Sequence, residues 1–541
     1  MLLEFLKDTC RIDKKEQKNC DLFIYVRGYI IHENRLYVES ECRDFIGSDY
    51  RKGTFDTAVP KYNGCWQIVI YDPEKHELIL ANDRWGTYPL FKVRKNGGLF
   101  ISQDWRKLLS FGSKQMNEQS AFEMVSFGYV LGDKTLIDGM FDLPSHTIEH
   151  FHYKNGALET SSHSYWQLNY TFKPADEKIK EKEFAALWQS QLTIYAEAVK
   201  ELGNACYIPM SGGLDSRLLA AEFDKHDIDI YAMTFGSYKG YDEIDAALQV
   251  VSELHHPLGH YIQYFNEKTL IQLTESENHC NRVTCGYFGQ MYLEYFAMIK
   301  DKCKVIMPGF SGDFLGGSLI RYRMLSWKSN QDAIDYILDQ RSAPMVKAFA
   351  ADEKYEHIIQ KALYDTFPSD SDVISNYVRW FTEHDIRRYL MRSVLNEQNA
   401  HGHLILPFFD YKLIDFFLEL PVKLLINKRL YTNTQIKYLY SHHPELIKIE
   451  RARPKRKIRR VGNAFLFEYG NKIQNKINKN FRKAQTGSQW DKDIDWYKIY
   501  DEIVLPEFMD PELFKHPNIA AKPNYIKFFD TVSRIYKEIN S

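Results

Sequence analysis

Apolar and polar residues follow two different patterns along the chain. Between about residues 20 and 165, short runs rich in β-branched and aromatic residues are separated by polar, Gly or Pro turns, which is typical of strands. From about residue 168, a charged stretch with a single Pro precedes apolar positions at helical spacing over 184–199. The first region is therefore predicted to be β-rich, with strands at residues 25–31, 35–39, 65–72, 76–83, 88–93 and 98–102.

The second region alternates strand-like and helical patterns. Short apolar runs alternate with amphipathic stretches, which indicates a mostly parallel sheet covered by helices. Beyond about residue 325 the pattern is mainly helical. The apolar runs are 206–210, 228–235 and 304–310, and the helical stretches are 216–226 and 242–254. We therefore predict two domains, a β-rich one and an α/β one with a helical C-terminal portion, over residues 1–167 and 180–541.

Composition narrows the class of protein without selecting a function. The chain has 541 residues, of which 44% are hydrophobic and 26% are charged, a globular balance. Its 70 Lys and Arg residues nearly match its 72 Asp and Glu residues. Because the formal net charge is only -2, no global field favours nucleic acid or an anionic membrane as a partner.

The cellular compartment is inferred from the start of the chain, its apolar runs and its cysteines. The start lacks the long apolar centre of a secretory signal, and no uninterrupted apolar run approaches 18 residues, so no membrane-spanning helix is expected. The cysteines are scattered and complete no zinc-site spacing, so we expect reduced thiols in a cytoplasmic protein. The eight are Cys10, Cys20, Cys42, Cys65, Cys206, Cys280, Cys285 and Cys303.

The most informative segment is the run from Pro209 to Leu218, which reads PMSGGLDSRL. An apolar strand leads into Ser-Gly-Gly, and a helix is predicted to begin at the following Asp-Ser pair. Glycines let the backbone approach an anion, and a helix N-terminus adds free N–H groups. An Asp beside phosphate is best explained by Mg²⁺ between them. An ordinary turn with a capped helix is the alternative, but the whole run favours a phosphate loop built from Ser211, Gly212, Gly213, Asp215 and Ser216.

This loop resembles the pyrophosphate-binding loop of the ATP-pyrophosphatase superfamily, and nearly the full chain resembles the asparagine synthetase family. The N-terminal half is similar to that family's glutamine-amidotransferase domain, which implies an α+β, Ntn-hydrolase-like, β-rich sandwich. The C-terminal half is similar to its PP-loop synthetase domain, of the adenine nucleotide α-hydrolase-like class. The further segments that carry the resemblance are Gly64–Trp66, Asn82–Gly86, Leu143–His146, Tyr165–Trp166, Thr234–Gly236, Pro308–Asp313 and Pro407–Asp410.

The resemblance implies a reaction and its cofactors. In the family, a substrate carboxylate attacks the α-phosphorus of ATP to form an acyl-adenylate and pyrophosphate, and an amine or ammonia then displaces AMP. Asp215 and Asp313 would share Mg²⁺ across the pyrophosphate. Met210, Phe235 and Gly309 would border the nucleoside, at the strand ends where open α/β sheets bind ligands.

One departure from the family concerns its nitrogen supply. A glutaminase of this type uses a Cys exposed as the N-terminal residue, whereas this chain begins Met-Leu-Leu-Glu and its nearest thiol is Cys10. We therefore predict that the N-terminal domain does not hydrolyse glutamine. This prediction places the chain nearer to the glutaminase-deficient branch, which includes the β-lactam synthetases and lasso-peptide macrolactam synthetases.

A second departure concerns acid–base chemistry. Phe310 stands where asparagine synthetases carry Glu and β-lactam synthetases carry Tyr, and a Phe side chain cannot act as a base. His403, beside Leu and Ile, is a candidate base near neutral pH, with a packing role as the alternative. Seven of the ten residues 451–460 are basic. The family's catalytic lysine falls in a similar place, so Lys455 is the candidate, with Lys457 as the other possible register.

Three classes of function remain open. The first is an ATP-dependent ligase that joins a carboxylate to ammonia or an amine, including intramolecular closure of a macrolactam or β-lactam ring. The second is an inactive nucleotide-binding scaffold. The third, tRNA modification, would use the basic segment but leaves the amidotransferase-like half unexplained, so nucleic acid is not the expected partner. A homodimer is compatible with the sequence.

Overall fold

The computed structural model describes most of the chain. All structural statements below refer to residues 1–17, 21–236, 242–264, 283–286, 298–299, 301–310, 312–342, 353–395, 402–450, 457–458, 460, 503–511, 513–515 and 526–541.

The N-terminal region contains two six-stranded sheets whose paired strands run antiparallel. Across the sheets, the strand order is β10-β8-β9-β1-β2-β3 in one and β12-β11-β7-β6-β4-β5 in the other. The strands are β1 Leu2–Leu6, β2 Thr9–Ile12, β3 Lys15–Glu16, β4 Phe23–His32, β5 Arg35–Val38, β6 Asn63–Asp72, β7 Glu77–Asn82, β8 Phe91–Lys95, β9 Gly98–Ser102, β10 Met140–Asp142, β11 Thr147–Lys154 and β12 Ala157–Ser164. Three helices accompany them: α1 Arg43–Arg51, α2 Phe55–Ala58 and α3 Glu118–Phe127.

Strand β6 is apolar on both faces because each face packs against another part of the protein. Val69 and Tyr71 face the other sheet, where they join a buried cluster with Phe5 of β1. Trp66 and Ile68 face the opposite way, in a cluster that includes residues of α1 and α2. The second sheet is therefore covered by a sheet on one side and by helices on the other, and the predicted β-rich sandwich is confirmed.

The C-terminal region is built on a five-stranded parallel sheet in the order β15-β14-β13-β16-β17. These strands are β13 Ala205–Pro209, β14 Asp229–Gly236, β15 Pro257–Tyr264, β16 Val305–Ile306 and β17 His403–Leu404. The helices are α4 Glu177–Glu201, α5 Asp215–Lys225, α6 Asp242–Ser252, α7 Asn330–Ile337, α8 Glu353–Thr366, α9 Val373–Phe381, α10 Tyr411–Leu418, α11 Val422–Leu425, α12 Arg429–His442, α13 Pro444–Lys448 and α14 Ile526–Asn540. The predicted α/β class with a helical C-terminal portion is confirmed.

The segment Pro407–Asp410 lies where the two regions meet. Asp410 is fully buried and caps α10 through the Lys412 amide, 2.9 Å away. Its Oδ2 accepts hydrogen bonds from Asn63 Nδ2 at 2.8 Å and from the Tyr195 hydroxyl at 3.2 Å. This motif therefore joins the β-rich region to the α/β region.

A second contact between the two regions is a buried ionic cluster. Asp142, at the end of β10, accepts hydrogen bonds from Arg387 at 3.1 Å, from Arg388 at 2.8 Å and from Arg392. The arginines lie on a π-helical segment, Thr382–Leu395, that continues from α9. A π-helix has more residues per turn than an α-helix. This geometry lets Arg387, Arg388 and Arg392 approach the same carboxylate.

The sequence pattern missed several N-terminal elements. It predicted no strand before about residue 20, yet β1 to β3 form one side of a sheet. It also predicted neither α1 nor α3. Strand β1 alternates buried and half-buried residues over only five positions, and a charged hairpin follows it. The sequence pattern that would predict a strand here is therefore weak. Among the helices that the structure describes, none combines the length and apolar character needed to cross a membrane.

Candidate active site

The predicted phosphate loop forms a tight turn between β13 and α5. The Ser211 and Ser216 hydroxyls lie 3.0 Å apart, and the Ser211 N–H donates to Ser216 Oγ at 3.1 Å. The Gly213 N–H donates to Ser211 Oγ at 3.2 Å. No side chain caps the N-terminus of α5, so the first-turn N–H groups are suited to an anionic ligand.

Gly309 brings the second loop against the first. A Cβ built on this residue would lie 2.7 Å from the Ser216 amide nitrogen and 3.1 Å from the carbonyl carbon of Asp215. Any side chain would therefore push the second loop away from the start of α5. The structure therefore brings Gly309 to the predicted phosphate loop, and its place beside the nucleoside stays a prediction.

Asp215 is held by two neutral donors from α12. The Tyr431 hydroxyl donates to Asp215 Oδ1 at 2.6 Å, and Gln435 Nε2 donates to the same oxygen at 2.8 Å. The pKa of Asp215 is raised above its usual value, first because the carboxyl is buried and then because Asp313 places a second negative charge nearby. The two predicted metal ligands therefore interact electrostatically.

Asp313 pairs with a lysine, which is the third charged residue of this cluster. Lys428 Nζ lies 2.9 Å from Asp313 Oδ2, and the same ammonium lowers the pKa of Asp215. Sequence reasoning missed Lys428, Tyr431 and Gln435. The only available signal was the i, i+4 spacing of the last two on one helix face, which is too common to indicate a site.

The strand ends beside the loop form a compact hydrogen-bonded group. The Met210 N–H donates to the Met233 carbonyl at 2.7 Å, and the Thr234 hydroxyl donates to the Met210 carbonyl at 2.9 Å. His260 Nε2 lies 2.8 Å from the Thr234 hydroxyl, and burial lowers the pKa of His260 to about 4. At neutral pH His260 is therefore uncharged. Phe235, half-buried at the end of β14, is one residue beyond this group.

The structure separates His403 from the loop. His403 pairs with Val305, and Val305 pairs with Cys206, so all three lie at the same level of the sheet. Ser211 is five residues beyond Cys206, which corresponds to about 16 Å along a strand. Burial lowers the pKa of His403, and the charges that raise it come from Glu39 and Glu41 of the β-rich region. This position argues against an acid–base role at the loop.

Two other predicted positions are less informative. Lys455 lies outside the described residues, whereas Lys457 is described and exposed. Phe310 is half-buried and packs against the main hydrophobic core. The side chain that replaces the family's Glu therefore serves packing and supplies no titratable group.

The cluster fits a magnesium ion that is shared with a nucleotide. Mg²⁺ in such sites takes one or two protein carboxylates and completes its shell with phosphate and water oxygens. Asp215 and Asp313 provide the carboxylates, and the ammonium of Lys428 beside Asp313 already acts electrostatically on Asp215. Among the described residues, no group of three or more His, Cys, Asp or Glu side chains could hold a metal by itself.

The described cysteines are all buried, and none of them forms a disulfide. Burial raises the pKa of Cys10 to about 12, and burial also raises the pKa of Cys65 well above its usual value. Because the thiolate is the nucleophile, neither sulfur is suited to attack an amide near neutral pH.

Two family models match parts of the chain. Residues 206–461 match the asparagine synthase family, and residues 40–166 match a glutamine amidotransferase domain. A protein of Methanocaldococcus jannaschii described as a glutamine-hydrolyzing asparagine synthetase 2 is 23% identical over 328 residues, which are 57% of this chain and 61% of that protein. Asparagine synthetase 2 of Bacillus subtilis is 23% identical over 310 residues, 53% of this chain and 40% of that protein.

Two solved structures match the chain only at low TM-scores. An NH3-dependent NAD synthetase from Campylobacter jejuni is 15% identical with a TM-score of 0.18, covering 36% of this chain and 99% of that one. A glutamine phosphoribosylpyrophosphate amidotransferase from B. subtilis is 10% identical with a TM-score of 0.20, covering 49% and 75%. At these TM-scores neither likeness bears on function. The two domain matches and the two curated relatives support the asparagine synthetase family for this chain.

Proposed function

We propose that this protein is an ATP-dependent, amide-bond-forming ligase that adenylates a substrate carboxylate, releases pyrophosphate and transfers the acyl group to ammonia or an amine. One observation carries this proposal: the Ser211–Ser216 loop and the two aspartates belong to a single cluster at the carboxyl edge of the parallel sheet. Open α/β sheets bind ligands at this edge.

Each part of the cluster has a role in the proposed reaction. The loop amides and the hydroxyls of Ser211 and Ser216 bind the β- and γ-phosphates, and Met210, Phe235 and Gly309 border the nucleoside. Asp215 and Asp313 hold Mg²⁺, which neutralises charge on the phosphates when bound. Tyr431 and Gln435 fix one oxygen of Asp215, so this carboxylate is oriented before a ligand arrives.

The basic segment is proposed to complete the site. Lys455, with Lys457 as the alternative, would place an ammonium on the α-phosphate region, where negative charge develops as pyrophosphate leaves. His403 is not included, because it lies at the level of Cys206 rather than at the loop.

The proposed reaction proceeds without glutamine hydrolysis. The support is the chemistry of the described thiols, all of which are buried. Ammonia or an amine on the substrate would then supply the nitrogen. Phe310, which replaces the family's acidic residue, favours a carboxylate substrate other than aspartate and makes intramolecular ring closure the second candidate.

The test is product analysis with purified protein, Mg²⁺, ATP, candidate carboxylic acids and an ammonium salt. The proposal expects AMP and pyrophosphate that depend on the acid, and no glutamate from glutamine. Asp215→Asn should strongly reduce AMP release. Asp227→Asn is the matched control because its side chain is 80% exposed. ADP as the product, or glutamate release from glutamine, would contradict the corresponding part of the proposal, and binding without turnover would favour the scaffold alternative.

A further inference from the structure

Lys428 reaches the aspartate cluster from an unusual backbone conformation. Asn427 and Lys428 have φ angles of +54° and +52°, in the left-handed region that residues with a Cβ rarely occupy. The two residues immediately precede α12, which begins at Arg429. Strained backbone of this kind persists only where surrounding contacts hold it, and it concentrates at functional sites.

The contacts that hold this turn come from the segment that follows Asp313. The Asn427 N–H donates to the Ile320 carbonyl at 3.0 Å, and Arg321 Nη1 donates to Asn427 Oδ1 at 3.1 Å. Gly317 packs so closely that a Cβ there would lie 2.3 Å from the Leu425 carbonyl oxygen. The strained turn is therefore built against the loop that carries Asp313, which fixes the lysine beside that carboxylate.

The charges of the cluster do not balance without a further cation. Two carboxylates face one ammonium, and the remaining donors to Asp215, from Tyr431 and Gln435, are neutral. The neighbouring Arg429 is directed elsewhere, because its guanidinium pairs with Glu177 at 2.7 Å. In the part of the chain that the structure describes, Lys428 is the one cation hydrogen-bonded to either aspartate.

We propose that Lys428 is an exchangeable counter-ion that occupies Asp313 until a metal–nucleotide complex binds, and then transfers its ammonium to a phosphate oxygen. This inference rests on the proposed function of the site. A free divalent metal must displace the ammonium without compensation, so it binds weakly. A metal–nucleotide complex offers the ammonium a new anionic partner, so it binds well. A lysine suits this exchange because its ammonium is a compact charge on a flexible stem.

If this exchange occurs, removing the ammonium should change the affinity for free metal and the affinity for the metal–nucleotide complex in opposite directions. In Lys428→Met, Mn²⁺ alone should bind about tenfold more tightly, because Asp313 is no longer occupied. The complex of Mg²⁺ with α,β-methylene-ATP should bind about tenfold more weakly, because the phosphate has lost a cationic partner. Mn²⁺ binding is measured by electron paramagnetic resonance and nucleotide binding by titration calorimetry, so neither readout depends on turnover.

Two further variants control for damage to the fold. Lys428→Gly removes the charge while relieving the left-handed backbone, because glycine adopts positive φ freely, so this variant should fold and repeat both changes. Lys437→Met, on the same helix and half-exposed, should change neither affinity.

The outcomes separate this inference from the function on which it rests. Opposite changes in the two affinities support the exchange. Changes in the same direction, or no change in either variant of Lys428, overturn it while leaving the ligase proposal intact. If the wild-type protein binds no Mg²⁺–nucleotide complex at all, the proposed function is wrong and the exchange falls with it.

Discussion

Two aspartate clusters of this protein use the same side chain in opposite electrostatic settings. Asp142, at the contact between the β-rich and α/β regions, is fully buried and faces three arginines. Asp215, at the candidate site, is half-buried and faces a second aspartate and one lysine. Burial raises the pKa of Asp142, but the guanidinium groups outweigh it, so this pKa lies below its usual value. The pKa of Asp215 lies above its usual value.

The difference indicates which cluster is structural and which is suited to binding. The arginines around Asp142 also donate to backbone carbonyls, including those of Gly86 and Leu143, so the Asp142 carboxylate has cationic partners without a ligand. Around Asp215, negative charge is in excess and α12 supplies neutral donors. A site that holds a carboxylate such as Asp215 at a raised pKa gains from the binding of a cation.

The largest expected effect tests the structural cluster. Asp142→Asn leaves three buried guanidinium groups without their negative partner, so the free energy of unfolding should fall by about 3–5 kcal/mol. Urea denaturation monitored by circular dichroism measures this change. A loss below about 1 kcal/mol would mean that hydrogen bonds to backbone carbonyls are enough to stabilise the arginines. The electrostatic difference between the Asp142 and Asp215 clusters would then be small.

The corresponding change at the candidate site should affect activity and spare stability. Asp215→Asn removes a proposed metal ligand, so AMP formation should fall by about 100- to 1,000-fold. The same variant should unfold within about 1 kcal/mol of the wild type, or be slightly more stable, because the raised pKa shows that the charge is unfavourable in the folded state. Steady-state AMP assays measure the effect on activity, and urea denaturation measures the effect on stability. A large loss of stability would contradict the comparison.

A pH series sharpens the comparison at the interface. His384 is buried; its Nδ1 donates to the Trp380 carbonyl at 2.7 Å, and its Nε2 accepts the Gly132 N–H at 3.0 Å. Burial lowers the pKa of His384 to about 4. Below pH 6.5 the unfolded chain therefore binds a proton that the folded protein excludes, so stability is fully present above pH 6.5 and decreases as the pH falls. The expected loss is about 2 kcal/mol between pH 7 and pH 5.

Urea denaturation at pH 7, 6 and 5 measures that loss, and His384→Gln provides the comparison. The variant lacks the titrating group, so its stability should decrease less over this range than that of the wild type. Glu383 next to it does not confuse the result, because its pKa of about 2 keeps it ionised in the folded protein over this range. Equal pH dependence in both proteins would show that His384 does not control stability here.

The smallest expected effect concerns the approach of the two site loops. Gly309→Ala places a methyl group 2.7 Å from the Ser216 amide, so the second loop must shift and nucleotide affinity should fall about tenfold. Titration calorimetry with Mg²⁺ and α,β-methylene-ATP measures this change. Gly112→Ala is the control, because the nearest atom to its added Cβ lies at 3.5 Å. Unchanged affinity in Gly309→Ala would place the nucleotide away from this contact.

Local pattern predicted the parts of the fold that depend on neighbours along the chain. The parallel strands and the helices between residues 205 and 252 follow from apolar runs and helical spacing, and the structure has them there. The strand β1 escaped prediction because it is short, and its burial depends on a sheet partner about a hundred residues away, at Gly98–Ser102. The positions of Ser211, Gly309 and Asp313 followed from recognisable loops.

The sequence by itself determined a β-rich region followed by an α/β region, and it singled out the Ser211–Ser216 loop and the two aspartates, because each is encoded in contiguous residues. Only the tertiary structure decided that Lys428 lies 2.9 Å from Asp313 and that His403 lies at the opposite end of the strands. The lysine is separated from that aspartate by more than a hundred residues, and its reach depends on a left-handed turn that no periodicity reveals. Contacts between distant segments are set by packing, so their chemistry becomes visible only once the chain is folded.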